Sequence, residues 1–296
     1  MILLVGATGV LGQETARQLT AVNQSVRAMT RTPEKATDLK DLGAEVVHGD
    51  LTDLPSLARA CNGVEIVIAS AHSLFGRGKN RSENVDDQGH RDLIDAAKKA
   101  NVRQFVYISA YGASPDHPVD FYRSKYRVEQ YLQHSGLTYT ILRPGAFMEW
   151  HAHRLLGKGI LDKGKTTILG KGDLPVSYVA AHDIAQLIVM ALDNPTAYSR
   201  IINVGGPTNP SRNDVAALYG RLASVTPKVN HISPGTLRFL SKVIKPFHPG
   251  IGRVMFMSAT LDAIDQSLDM TETLRDFPIP LTSIEAFVQK QIPQAR

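Results

Sequence analysis

The chain has 296 residues, 43% hydrophobic and 21% charged, enough for one large or two modest packed domains. Its net charge of +5 suits an anionic ligand, but no cluster of Lys and Arg interleaved with aromatics makes a case for nucleic acid. Cys61 is the only cysteine, so an internal disulfide is excluded, and no apolar run reaches the length of a membrane span, which argues against insertion.

MILLV (1–5) is the first predicted strand. It has neither the charged region nor the cleavage site of a signal peptide, and a cytoplasmic location is the expectation. The strand passes through Gly6-x-x-Gly9-x-x-Gly12 directly into a predicted helix at 10–22. Glycines there permit a tight turn and let backbone approach a pyrophosphate. The helix start offers N–H groups and the positive end of its dipole. Gly6, Thr8, Gly9, Val10, Leu11 and Gly12 are therefore candidate phosphate-cradle residues. SVRAMT (25–30) is the second strand, and no acid stands at its end to hold ribose hydroxyls. Arg31 follows instead, with Lys35 one turn into the next predicted helix. Two cations without an acid favour a 2′-phosphate, so NADP(H) is the predicted cofactor; a solvated helix start is the plainer alternative.

AEVVHG (44–49) leads to Asp50 and Leu51 at the same sheet edge. Asp50 either contacts the adenine or serves the start of the helix at 53–63. VEIVIAS (64–70) ends in Ala69 and Ser70, small enough for a dinucleotide to pass close to backbone. The glycine-rich, basic loop that runs on to Asn84 is either a lid or a solvated connection. A helix at 83–101 precedes RQFVYIS (103–109), which ends in Ser109, with Tyr111 on the following turn. A helix at 120–136 contains FYRSKYRVE, and TYTILRP (138–144) ends in Pro144. These strands are apolar nearly throughout rather than alternating, as strands buried on both faces are. With IINVG (201–205) they predict a doubly wound, Rossmann-like α/β fold with a parallel sheet of about seven strands.

After Pro144 the rhythm breaks. Residues 1–147 and 176–206 are predicted to form the nucleotide domain. Residues 148–175 and 207–296 are predicted to form a smaller, mostly helical substrate lobe, with glycine- and lysine-rich loops at 157–173. Phe121, Phe147, Met148 and Trp150 are candidate pocket residues. TLRFLSKVIKPFHPGIGRVMFM (236–257) spaces cations among apolar residues. It is either a membrane-surface or partner helix, or one face of a packed lobe; the interrupting prolines favour the packed face.

GATGVLG, TRTPEKA, GDLTD, LIDAAKKANVRQFVYISAYGAS and SKYRVEQYLQHSGLTYTILRPGAFM together resemble the short-chain dehydrogenase/reductase superfamily, in particular its atypical NmrA-like branch. The resemblance spans residues 1 to about 206 and implies a seven-stranded parallel sheet, NAD(P) binding and a C-terminal substrate lobe. Active members use a serine or threonine after the fifth strand and the tyrosine and lysine of YxxxK. By position Lys125 matches the lysine, as a ribose-holding and catalytic residue, and Ser109 matches the start of the serine turn. Phe121 falls on the tyrosine.

Reduction of a carbonyl leaves an alkoxide that needs a proton, and phenylalanine cannot supply one. Tyr111, Tyr122, His151, His153 and solvent are the candidate substitutes. His151 and His153 are two apart on a predicted helix and point to different sides, so no metal site is expected. A small apolar or conjugated acceptor, such as a quinone or enone, fits the missing acid, because incoming charge can delocalise. The competing expectation is a non-catalytic NADP(H)-binding sensor or assembly protein. A homodimer is compatible with either.

Overall fold

The computed structural model describes residues 1–293. The chain divides into two compact units, Met1–Arg143 with Ile184–Ile202, and Pro144–Asp183 with the residues from Asn203 onward. The breaks thus follow Arg143, Asp183 and Ile202, where the sequence placed them after residues 147, 175 and 206.

The first unit alternates strand and helix: β1 (Ile2–Val5), α1 (Val10–Ala21), β2 (Val26–Thr30), α2 (Thr37–Asp41), β3 (Glu45–His48), α3 (Leu54–Cys61), β4 (Ile66–Ala69), α4 (Gly89–Lys99), β5 (Gln104–Ile108), α5 (Asp120–Gln133) and β6 (Tyr139–Pro144). The chain continues through β7 (Ala146–Phe147), α6 (Lys158–Lys163), β8 (Lys165–Leu169), β9 (Tyr178–Val179), α7 (Ala181–Ala191) and β10 (Arg200–Val204). It ends with α8 (Arg212–Leu222), β11 (Lys228–Ile232), α9 (Pro234–Ile244), α10 (Pro249–Leu261), α11 (Thr271–Asp276) and α12 (Ile284–Gln291).

The seven-stranded sheet has the order β10-β6-β5-β4-β1-β2-β3, and the β1, β2, β3, β4, β5 and β6 pairings are parallel. Every residue of β1, β4 and β5 is buried, which explains why their sequences do not alternate. Val5 pairs with both Met29 and Ala69, so the loops beginning at Gly6, Arg31 and Ser70 leave one edge side by side. Strand order reverses between β1 and β4, and the crevice at such a reversal is where doubly wound sheets bind ligands. Leu3, Val67, Phe105 and Tyr107 of the sheet pack with Leu57, Leu93, Ile94, Val128 and Leu132 of the helices. Cys61 belongs to this core, where burial pushes its thiol up to about 12 against a small opposing effect of Arg27.

α4 buries His90, Leu93, Ile94 and Ala97, the i, i+3, i+4, i+7 face of an amphipathic helix. Its lead-in, Glu83–Gln88, winds as a wider π-helix, not the single α-helix that the periodicity predicts. His90 Nδ1–H donates to the Val85 carbonyl five residues back, 2.7 Å away, a partner that the wide turn brings into reach. α5 buries Ser124, Lys125, Val128, Glu129 and Leu132, so two charged residues lie in its inward stripe.

The second unit contains more strand than its composition suggests. β8 and β11 pair in parallel from Lys165 opposite Lys228 to Leu169 opposite Ile232, and β7 pairs with β9. In β8 the buried Thr166 and Ile168 alternate with the exposed Lys165 and Thr167, a period-two pattern hidden in what reads as a polar loop. Its core gathers Met148, Leu156, Ile160, Ile168, Tyr219, Phe287 and Val288. No helix among the described residues is long and apolar enough to cross a membrane.

Candidate functional site

The loop after β1 is closed to side chains and open to a ligand. Gly6 has φ +87°, and a Cβ there would lie 2.7 Å from the Ala71 nitrogen. A Cβ on Gly12 would lie 2.2 Å from the Gly6 carbonyl oxygen and 2.7 Å from Ala7 Cα, both backbone that cannot yield. Gly9 is the N-cap of α1, and no side chain caps the helix. Its first-turn N–H groups and positive dipole end therefore face outward beside exposed Thr8, Gly9 and Val10, while Leu11 and Gly12 are buried. This is a backbone cradle of the kind a dinucleotide pyrophosphate requires, so the residues present fit such a group.

Arg31 and Lys35 stand exposed beyond β2, and neither side chain makes a hydrogen bond or ion pair among the described residues. Asp50 follows β3. Its carboxylate accepts from the Thr52 N–H and hydroxyl, each at 2.9 Å, and lies 3.8 Å from Lys79 Nζ. Burial pushes the Asp50 carboxyl up, but the Thr52 bonds, Lys79 and Arg31 outweigh it and hold it below its ordinary range. Leu51 and Ala69 are buried, and the Ser70 hydroxyl donates to the Val5 carbonyl at 3.0 Å. The loop after Ser70 is tied down by buried Asp86, which accepts from the Ser73 N–H at 2.7 Å and from the Ser82 hydroxyl.

At the other side of the switch point, α5 presents Lys125. The residue is 3% exposed, and its ammonium donates to the Ile108 carbonyl at 2.9 Å and sits 4.8 Å above the Tyr107 ring and 5.7 Å above the Phe121 ring. Burial pushes it down to about 8, against the pull of Asp86 and Glu129. Phe121 is half-buried, with the imidazole of exposed His72 set edge-on to it at 6.5 Å. Tyr122 instead stacks on His117 at 4.1 Å, and Tyr111 is half-buried on the turn after β5. Tyr107 is no substitute acid: burial, then Asp86, Glu129 and Asp87, hold its phenol well above the ordinary value.

The Ser109 hydroxyl is committed to Glu129, donating to its carboxylate. Glu129 is fully buried, and Arg143 grips it with Nε at 2.9 Å and a second nitrogen on the other oxygen. This Ser109–Glu129–Arg143 triad escapes the motif reading. Its one signal is Glu129 four residues after Lys125 and one after Val128, inside the buried stripe of α5. His72 and Asp86 carry no sequence signal, because the loop that places them has no period. Pro144 is buried at the end of β6. Of the candidate pocket residues in the second unit, Met148 packs into the core, Phe147 is half-buried, and exposed Trp150 lies beneath the Arg154 guanidinium at 4.9 Å. His153 is hydrogen-bonded to the Tyr219 hydroxyl at 3.2 Å. Among the described residues no cluster of His, Cys, Asp and Glu is arranged to hold a metal.

The model of the NAD(P)H-binding family matches residues 6–195. The chain is 34% identical over 224 residues to the NAD(P)H azoreductase of Xenophilus azovorans, covering 75% of this chain and 74% of that protein. It is 26% identical over 298 residues to the photosystem II assembly factor Ycf39 of Synechocystis sp., covering 98% and 90%. In fold it is similar to the NADPH-dependent quinone oxidoreductase of Escherichia coli solved with NADPH, with a TM-score of 0.77 at 22% identity over 98% of this chain and 99% of that one.

Proposed function

The chain belongs to the NAD(P)H-binding family, within the atypical short-chain dehydrogenase/reductase group that its sequence resembles, and from that membership we propose an NADPH-dependent reductase of small conjugated acceptors. The observation that carries the reading is the Lys125 ammonium, buried at the carboxyl edge of the sheet with the Phe121 ring where a phenol would stand. NADPH, when bound, would supply hydride. Gly6, Gly9 and Gly12 would hold its pyrophosphate against the α1 terminus, with Thr8, Val10 and Leu11 around it. Asp50, Leu51, Ala69, Ser70 and Pro144 would line its path, and Lys125 would hold the ribose nearest the reacting ring.

With phenylalanine beside the ammonium, the wall is apolar and offers no phenolic proton. That favours an acceptor that spreads incoming charge before it is protonated, and the kinship with an azoreductase supports the same class. Tyr111 is the protic side chain proposed to stand in as a donor, alongside solvent. Ser109 is proposed to act through Glu129, holding the end of β5, not on the acceptor.

The test is NADPH oxidation against a panel of quinones, azo dyes, enones and simple ketones. Turnover is expected with the conjugated members only. Phe121→Tyr is expected to raise simple ketone reduction by roughly tenfold or more, because a positioned general acid contributes that much or better. Quinone turnover is expected to stay within about threefold; unchanged ketone rates in the variant count against the site. A second reading, a nucleotide-binding assembly protein, is favoured by the match to an assembly factor over almost the whole chain. Tight NADPH binding with no oxidation by any acceptor would select it.

Cofactor choice is proposed to rest on Arg31 and Lys35. Charge-assisted hydrogen bonds each contribute about 1.5–3 kcal/mol. Arg31→Ser/Lys35→Ser is therefore expected to weaken NADPH by at least about tenfold and leave NADH within about twofold, read by fluorescence titration of each nucleotide.

A further inference from the structure

Residues 233–261, which include α9 and α10, contain Arg238, Lys242, Lys245 and Arg253 and no Asp or Glu. α9 turns Leu237 and Ser241 inward, and the Ser241 hydroxyl donates to the Gly252 carbonyl at 2.7 Å, pinning the two helices together. Its outward side holds Phe239, 66% exposed, and Val243, 48% exposed, one turn apart. Phe247, in the turn before α10, is 82% exposed. Arg238, Lys242 and Lys245 are exposed along the same helix and its end. None of the three side chains makes a hydrogen bond or ion pair among the described residues. Aromatic side chains in water, flanked by unpaired cations on a segment that contains no acid, form a surface that the fold of this unit does not explain.

We propose that the α9–α10 tip docks on an anionic lipid surface, with Phe239, Val243 and Phe247 entering the headgroup boundary and Arg238, Lys242 and Lys245 meeting lipid phosphates. Charge selects this occupant. A second copy of a chain with net charge +5 would bring like charge against the same cations. The α9 helix, of 11 residues, is far too short to span a bilayer and suits lying along its surface. Phe247, in the turn between the two helices, leaves most of its ring in water, as an interfacial anchor does.

The test is co-sedimentation of the full chain with vesicles of phosphatidylcholine alone and of phosphatidylcholine mixed equally with phosphatidylglycerol. Binding is expected to the anionic vesicles and not to the neutral ones, and to fall as salt rises. Arg238→Gln/Lys242→Gln/Lys245→Gln is expected to weaken it roughly 100-fold, and Phe239→Ser/Phe247→Ser at least about tenfold. Both variants change exposed positions, so NADPH binding and melting temperature serve as controls for folding and are expected to hold. Absence of vesicle binding, or variants that bind as the parent does, overturns the proposal. Retention on immobilised polyglutamate without vesicle binding also overturns it and reassigns the tip to an acidic protein.

Discussion

Replacing Lys125 with methionine is expected to lower kcat/KM for NADPH-dependent acceptor reduction by about 100-fold or more, with the protein still folded. A charged group next to the reacting atoms contributes on that scale, and methionine keeps the stem while removing the charge. Near neutral pH the variant is expected to be no less stable than the parent, because burying the ammonium costs the folded state and methionine removes that cost. The direction with pH follows. In the folded chain the group titrates at about 8, below the ordinary value of 10.5. Between those values the unfolded chain keeps the proton and the folded chain has released it, so this group's contribution to stability rises with pH across the window. Below about 8 both states are protonated and the penalty is complete. Any stability advantage of Lys125→Met is therefore largest below about pH 8 and shrinks toward 10.5, as urea midpoints on both sides of the window would read. Parent kcat/KM, which reports the free enzyme, should fall as pH rises through about 8 if the ammonium is the working form.

Replacing Arg143 with methionine is expected to destabilise the first unit by about 3–5 kcal/mol. The cause is the partner left behind: Glu129 is fully buried, and without Arg143 its carboxylate keeps only the Ser109 hydroxyl bond and the attraction of the Lys125 ammonium one turn away. Adding Glu129→Met to the same chain is expected to recover most of that loss, since a hydrophobic pair of similar volume replaces a buried ion pair at little cost. A urea midpoint that drops in the single variant and returns in the double identifies the uncompensated charge as the cause. Equal destabilisation in both would point to packing instead.

These two sites differ in how far the amino-acid sequence announces them. Lys125 is visible because a local spacing, four residues after Phe121 on a helix, carries it. Arg143 and Glu129 meet only through the pairing of β5 with β6 and the docking of α5, and no window of sequence contains that. The glycine cradle is legible for the same local reason, since strand, turn and helix follow within fifteen residues or so. The parallel sheet is legible because β1, β4 and β5 are buried on both faces and say so in composition. β8 and β11 are not, because each is half polar and they find each other only across the chain. The wide turn at Glu83–Gln88 is hidden because its apolar spacing differs little from that of an α-helix.

The solitary thiol of Cys61 turns the protein into its own clock. It is fully buried in α3 and pushed up to about 12, so in the native state an alkylating reagent meets neither an accessible nor an ionised sulfur. Modification then waits for that helix to come away from the sheet, and its rate counts those openings. With no second cysteine to confuse the signal, mass spectrometry of intact protein follows the event directly. The same silence leaves the surface clear for a single introduced cysteine on α9, where a fluorophore would sense a bilayer without labelling elsewhere.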